Sequence, residues 1–87
     1  MKKMLTKKIS FIVQAPAQVS MKIYDAIGNF IATVVNENKP VGIYNVEFSA
    51  ENESVTNPDV IKLRSGSYMY KLRIGNTIET KRMDLQS

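Results

Sequence analysis

The sequence SGSYMYKLRIGNTIETKRMDL, residues 65–85, has the most regular pattern in the chain and predicts one long β-hairpin. In its first half every second residue is apolar, which is the period of a half-buried strand: Tyr68, Tyr70, Leu72 and Ile74. Gly75-Asn76 follows, and both residue types tolerate the positive φ of a tight hairpin turn. In the second half Lys81, Met83 and Leu85 share one face. We expect the other strands to pair around this hairpin.

Upstream of the hairpin, the same alternation predicts four more strands: Lys8–Gln14, Val19–Tyr24, Phe30–Val35 and Tyr44–Ser49. The third is the least regular of them, which indicates a β-bulge. The first ends at Ala15-Pro16-Ala17, because proline cannot donate a hydrogen bond to a sheet.

Three segments between these strands read as turns or loops. In Asp25–Asn29 we expect Asp25 to accept hydrogen bonds from the turn amides and Gly28 to adopt the left-handed conformation. Asn36–Pro40 is a predicted polar loop. Alternation is lost at residues 50–64, which we interpret as an inserted loop. Its apolar residues are expected to pack back onto the core: Val60, Ile61 and Leu63.

About six short strands joined by tight turns, each with one apolar face, are typical of two antiparallel sheets packed face to face. The 87 residues fit one domain covering 1–87, with residues 1–7 as a flexible N-terminal tail. We expect three tyrosine rings on the inward faces, with hydroxyls at the rim of the core: Tyr44, Tyr68 and Tyr70. The outward face is expected to carry polar side chains: Lys22, Tyr24, Lys71, Arg73 and Glu79.

The composition argues against an enzyme. The chain has no histidine and no cysteine, so the commonest general base and the commonest soft metal ligands are absent. Oxygen ligands for calcium do occur within residues 51–59, but their spacing fits no EF-hand loop: Glu51, Glu53, Asn57 and Asp59. We therefore expect no catalytic residue, no metal site and no cofactor.

The charge pattern bears on the choice of partner. Two places on the outward face are basic. One is formed by Lys22 with Tyr24, and the other by Lys71 with Arg73. Basic sheet surfaces with aromatic residues can bind nucleic acid. However, the pattern predicts only one exposed aromatic residue on this face, among charges of both signs. The net charge of +4 is also modest. We therefore expect protein partners and no nucleic acid.

The apolar stretch Ile9–Val13 is shorter than the roughly 7–15 residues of a signal peptide, so we expect no cleaved signal. No stretch approaches the roughly 20 apolar residues of a membrane span. Interaction is expected at the edges of the sandwich, because unpaired edge strands can pair with other chains. The edge candidates are Lys8–Gln14 and Thr77–Leu85. The second carries three charged residues: Glu79, Lys81 and Arg82. Such charges can also protect an edge strand against aggregation, so both a binding role and a protective role remain open for this edge.

Six motifs, in the right order over residues 8–85, resemble the C-terminal sorting domain of type IX secretion cargo proteins. The same motifs are similar to the related immunoglobulin-like domain of flagellar hook-capping proteins. They are KISF at 8–11, VSMKIYDAIG at 19–28, IATVVN at 31–36, PVGIYNVEF at 40–48, SGSYMYKL at 65–72 and TKRMDL at 80–85.

This resemblance implies an all-β, immunoglobulin-like antiparallel β-sandwich of about seven strands. In the family, the outer-membrane export machinery recognises the last strand, and a sortase then removes the domain. By resemblance, four residues would be recognised by the partner: Lys81, Arg82, Met83 and Leu85.

Two functions follow as expectations. The first is a non-enzymatic interaction module that sorts an exported cargo to the outer membrane or cell surface. The second is a freestanding accessory or structural subunit of a larger complex, which would be cytoplasmic if Met1 is the native start. Such a subunit would dock by an edge strand or by the 50–64 loop, which is longer than the resemblance implies.

Overall fold

The computed structural model describes residues 6–50 and 59–86. It contains seven strands: β1 Thr6–Val13, β2 Ala17–Asp25, β3 Phe30–Lys39, β4 Gly42–Ala50, β5 Val60–Leu63, β6 Gly66–Ile74 and β7 Thr77–Leu85. A three-stranded sheet has the order β1-β4-β5, and a four-stranded sheet has the order β3-β2-β6-β7. The predicted all-β sandwich of about seven strands is confirmed.

The predicted hairpin is formed by β6 and β7, which pair from Gly66 with Leu85 to Ile74 with Thr77. Gly75 has a φ of 58°, as its place in the turn requires. No non-glycine residue in the described ranges has a positive φ, so Asn76 does not use the left-handed conformation that we expected. The Gly75 amide donates to the Gln18 carbonyl at 2.9 Å, which ties the turn to β2.

The core lies between the two sheets and consists of alternate residues of the paired strands. Its largest fully buried apolar side chains come from both sheets: Phe48, Met21, Ile23, Val13 and Val19. Tyr68 and Tyr70 belong to this core, and the half-buried Tyr44 packs against it. The inward placement of the three tyrosine rings is therefore confirmed.

Two of these tyrosines fix the points at which their strands enter the sandwich. The Tyr44 hydroxyl donates to the Pro40 carbonyl at 2.7 Å, and the Tyr68 hydroxyl donates to the Arg64 carbonyl at 2.7 Å. In both cases the acceptor lies four residues upstream, just before the strand begins. The hydroxyls therefore lie at the rim of the core, with a hydrogen-bond acceptor each, as expected.

The third strand is longer than predicted. β3 runs to Lys39, and its residues from Asn36 onward pair with Ala17–Ser20 of β2, so the predicted loop at Asn36–Pro40 is wrong except at Pro40. The polar residues of this edge strand are exposed on both faces, so apolar and polar residues do not alternate in this part of the sequence. Two register shifts between β2 and β3 confirm the predicted bulging.

The predicted boundaries at residues 1–7 and 50–64 also need correction. β1 begins at Thr6, β4 ends at Ala50, and Val60–Leu63 forms β5. β5 is parallel to β4, so the sheets are not wholly antiparallel as expected. The sequence of β5, VIKL, does not alternate strictly between apolar and polar residues, so a period of two could not identify this strand. Residues 1–5 and 51–58 of the predicted tail and loop, including the candidate calcium ligands Glu51, Glu53 and Asn57, lie outside the described residues.

The turn between β2 and β3 has the predicted hydrogen bonds. Asp25 Oδ1 accepts from the amide of Ile27 at 3.1 Å and from the amide of Asn29 at 2.8 Å. Gly28 has a φ of 95°, in the region that favours glycine. The hydrogen bond from the Asn29 amide is the main cause that lowers the pKa of Asp25 below its ordinary value of 3.8.

This turn predicts a pH dependence. Because the pKa of Asp25 is lowered on folding, its stabilising effect is complete above the unfolded value of about 3.8 and is lost as the pH falls through the folded pKa. We expect Asp25→Asn to be less stable than the wild type near pH 6 and to lose less stability between pH 5 and pH 2. Urea unfolding at each pH measures the free energy of unfolding. If this free energy falls equally with pH in the two proteins, the prediction is contradicted.

Candidate interaction site

The last strand lies at an edge of the four-stranded sheet. β7 pairs with β6 on one side, and no strand of the described ranges pairs with its other side. β1 is likewise an outer strand of the three-stranded sheet. The predicted edge strands Lys8–Gln14 and Thr77–Leu85 are therefore confirmed as edges within the described part of the chain, although the first ends at Val13.

The turn geometry identifies the backbone groups on the open side of β7. In a two-residue hairpin the residues that flank the turn, here Ile74 and Thr77, form a hydrogen-bonded pair, and such pairs alternate with non-hydrogen-bonded pairs. Four residues of β7 consequently direct their backbone N–H and C=O away from β6: Ile78, Thr80, Arg82 and Asp84. We call these backbone groups the free edge.

The structure divides the four residues that the resemblance names for recognition. Met83 and Leu85 are core residues, 2% and 4% exposed, whereas Lys81 and Arg82 are exposed. Lys81 has the same orientation as Met83 but precedes it, in the exposed part of β7 nearer the β6–β7 turn. Of these four side chains, only those of Lys81 and Arg82 would therefore be accessible to a partner that binds the folded domain.

The exposed charges of β7 are paired with each other. Lys81 Nζ lies 2.8 Å from Glu79 Oε1, which raises the pKa of Lys81. Glu79 pairs opposite the buried Leu72, so it projects from the core-facing side of β7, and its predicted place on the outward face was wrong. Charges on the inner side of an edge strand oppose edge-to-edge aggregation.

On the other face of β7, Arg82 Nε lies 3.1 Å from Asp84 Oδ1. The Ser67 hydroxyl donates to the same carboxylate at 2.7 Å and accepts from Arg82 Nη2 at 3.1 Å. The hydrogen bond from Ser67, followed by that from Arg82, lowers the pKa of Asp84. Asp84 is therefore ionised at neutral pH and forms an ion pair with Arg82 on the outward face.

The outward face of the four-stranded sheet is the second candidate surface. The structure confirms that Lys22, Lys71 and Arg73 are exposed there. Tyr24 is half-buried on the same face, and Phe30 pairs opposite it across β2 and β3. We missed the exposure of Phe30, which the pattern does not show because the bulges of β3 disturb its period.

Comparison with known proteins gave no match for this chain among protein-family models, curated proteins or solved structures. Residues 6–50 and 59–86 contain no helix long and apolar enough to span a membrane.

The division of the recognition residues predicts unequal effects on stability. Met83→Ala should lower the free energy of unfolding by about 2–5 kcal/mol, because it leaves a cavity in the core. Lys81→Ala should change it by less than about 0.5 kcal/mol, as exposed substitutions usually do. Urea unfolding of the two variants checks this, and a Lys81→Ala loss as large as that of Met83→Ala would contradict the placement.

Proposed function

We propose that this domain is a non-enzymatic protein-interaction module that a protein partner recognises by adding a strand to β7. The observation that carries this proposal is the free edge of a nine-residue strand. Unpaired N–H and C=O groups of an edge strand can form main-chain hydrogen bonds with an extended segment of another protein.

The other edges support strand addition less well. β5 has only four residues, and the bulges of β3 twist that edge. β7 contains no proline or glycine and pairs with β6 without a register shift. β1 is as regular as β7, but the motif TKRMDL, in which the resemblance to sorting domains ends, falls on β7.

Side chains on both faces of the free edge would add specificity. Lys81 projects on the core-facing side and Arg82 on the outward side, so an added strand with acidic residues could meet both. These cations would exchange their present partners, Glu79 and Asp84, for those of the incoming chain. The exchange costs little free energy because exposed ion pairs are weak in water.

The resemblance supports the export machinery of type IX secretion as the partner. The domain would then sort an attached cargo to the outer membrane or cell surface. The alternative function, an accessory subunit of a larger complex, would use the same free edge for a different protein. One substitution in β7 tests the edge contact that both functions share.

Thr80→Pro should abolish recognition while leaving the fold intact. The Thr80 amide points away from β6, so proline removes a donor of the free edge and no hydrogen bond within the sheet. Thr80→Val is the matched control, because it keeps the amide. Each variant of residues 1–87 would be fused to the C-terminus of a reporter with a signal peptide, in a host competent for type IX secretion. We expect export of wild type and Thr80→Val, and no export of Thr80→Pro.

Thermal unfolding must first show that the two variants are folded. Export of Thr80→Pro at the wild-type level would disprove recognition through the free edge. If the wild type is not exported but binds a native complex that Thr80→Pro does not bind, the sorting role is wrong and the subunit role is supported. Truncation after Thr80 is a poorer test, because it also removes the core residues Met83 and Leu85.

A further inference from the structure

Three cations on the outward face of the four-stranded sheet have no acidic partner among the described residues. Lys22 and Lys71 lie directly opposite each other on β2 and β6, and Arg73 follows on the same face of β6. Within residues 6–50 and 59–86, no acidic side chain forms a salt bridge with any of the three. Like charges directly opposite each other destabilise a sheet. An anion bound across Lys22 and Lys71 would relieve this repulsion.

Two aromatic rings lie immediately beside these cations. Tyr24 is two residues from Lys22 on β2, and the Tyr24 and Phe30 rings pack edge to face with centroids 5.8 Å apart. Phe30 is 57% exposed, so much of its ring is open to solvent. Lys71 Nζ lies 5.7 Å from the centre of the Tyr24 ring, which brings charge and ring together.

The neighbouring acidic groups of the described residues form no ion pair with these cations. The Asp25 carboxylate accepts from the amides of its own turn, and Asp84 is paired with Arg82. Glu79 projects from the opposite side of the sheet. A shallow depression on the same face includes two of the cations, Lys22 and Arg73. Hydroxyl and amide side chains also line it: Gln18, Ser20, Thr33 and Asn36.

We propose that this outward face binds single-stranded nucleic acid. Single strands are held by cations that contact the phosphates and by exposed rings on which bases stack, and this face presents both side by side. An acidic peptide would use the cations and leave the ring pair without a role. Our expectation of no nucleic acid assumed one exposed aromatic residue and charges of both signs. The structure adds the exposed Phe30 ring beside Tyr24 and places Glu79 on the opposite side of the sheet, and the outward Asp84 is paired with Arg82.

The test measures binding of fluorescein-labelled (dT)12 by fluorescence anisotropy, with a duplex of the same length for comparison. With three phosphate contacts, the logarithm of the binding constant should fall with the logarithm of the salt concentration with a slope of about −2, since each contact in a single strand contributes about −0.7. The K22Q/K71Q variant should bind more weakly, with a slope of about −0.7. The control is K8Q/K62Q, which removes the same number of positive charges, but from the three-stranded sheet. It should bind as the wild type does.

The aromatic contribution is tested separately. Phe30→Ala should weaken binding of (dT)12 by about 5- to 150-fold, which is the usual effect of losing one stacked base. Ile27→Ala removes an 86% exposed apolar side chain from the adjacent turn and should have no effect. The duplex should bind more weakly than (dT)12, because its bases are not free to stack on the rings.

Three outcomes would overturn the proposal. Equal losses in K22Q/K71Q and K8Q/K62Q would mean that net charge alone attracts the oligonucleotide. Unchanged binding by Phe30→Ala would remove the stacking role. Binding to phosphatidylcholine–phosphatidylserine vesicles, without binding to (dT)12, would assign the face to an anionic lipid surface instead. Circular dichroism of each variant ensures that these results come from folded protein.

Discussion

The packing of β2 and β6 against β1 and β4 is the constraint on which the rest of the structure depends. The chain has 87 residues and no cysteine, so no disulfide supplements its modest core. Nearly every inward position of these strands must therefore be apolar and buried, from Phe11 and Phe48 in one sheet to Met21 and Leu72 in the other. This requirement extends to the last strand, where Met83 and Leu85 complete the core even though β7 is an edge.

That requirement determines which parts of the domain are left for binding. On β7 the inward apolar side chains are occupied in packing, and the backbone of the free edge, with Lys81 and Arg82, remains accessible. On β2 and β6 only the outward residues are accessible, among them Lys22 and Lys71. Arg82 is part of the free edge and projects from the same outward face as Lys22 and Lys71.

The errors of the sequence-based interpretation have a common physical origin. A period of two shows which residues of a strand share a face, but it does not show where the opposing sheet ends. Glu79 shares a face with Met83 and is nevertheless exposed, because only the C-terminal end of the edge strand β7, at Met83 and Leu85, is buried. Phe30 belongs to a strand whose period is disturbed by two bulges, so its exposure could not be predicted from its neighbours in the sequence.

Local patterns were sufficient for the β6–β7 hairpin, the Asp25–Asn29 turn and the inward tyrosines, because turn chemistry and alternation act between near neighbours. The resemblance named Lys81, Arg82, Met83 and Leu85 together, and the alternation placed Lys81, Met83 and Leu85 on one face. Only the tertiary structure separated two core residues from two exposed ones. It also decided the parallel pairing of β5 with β4 and the meeting of Lys22 with Lys71. These features arise from the register between strands distant in the chain, which depends on how both sheets fill one core.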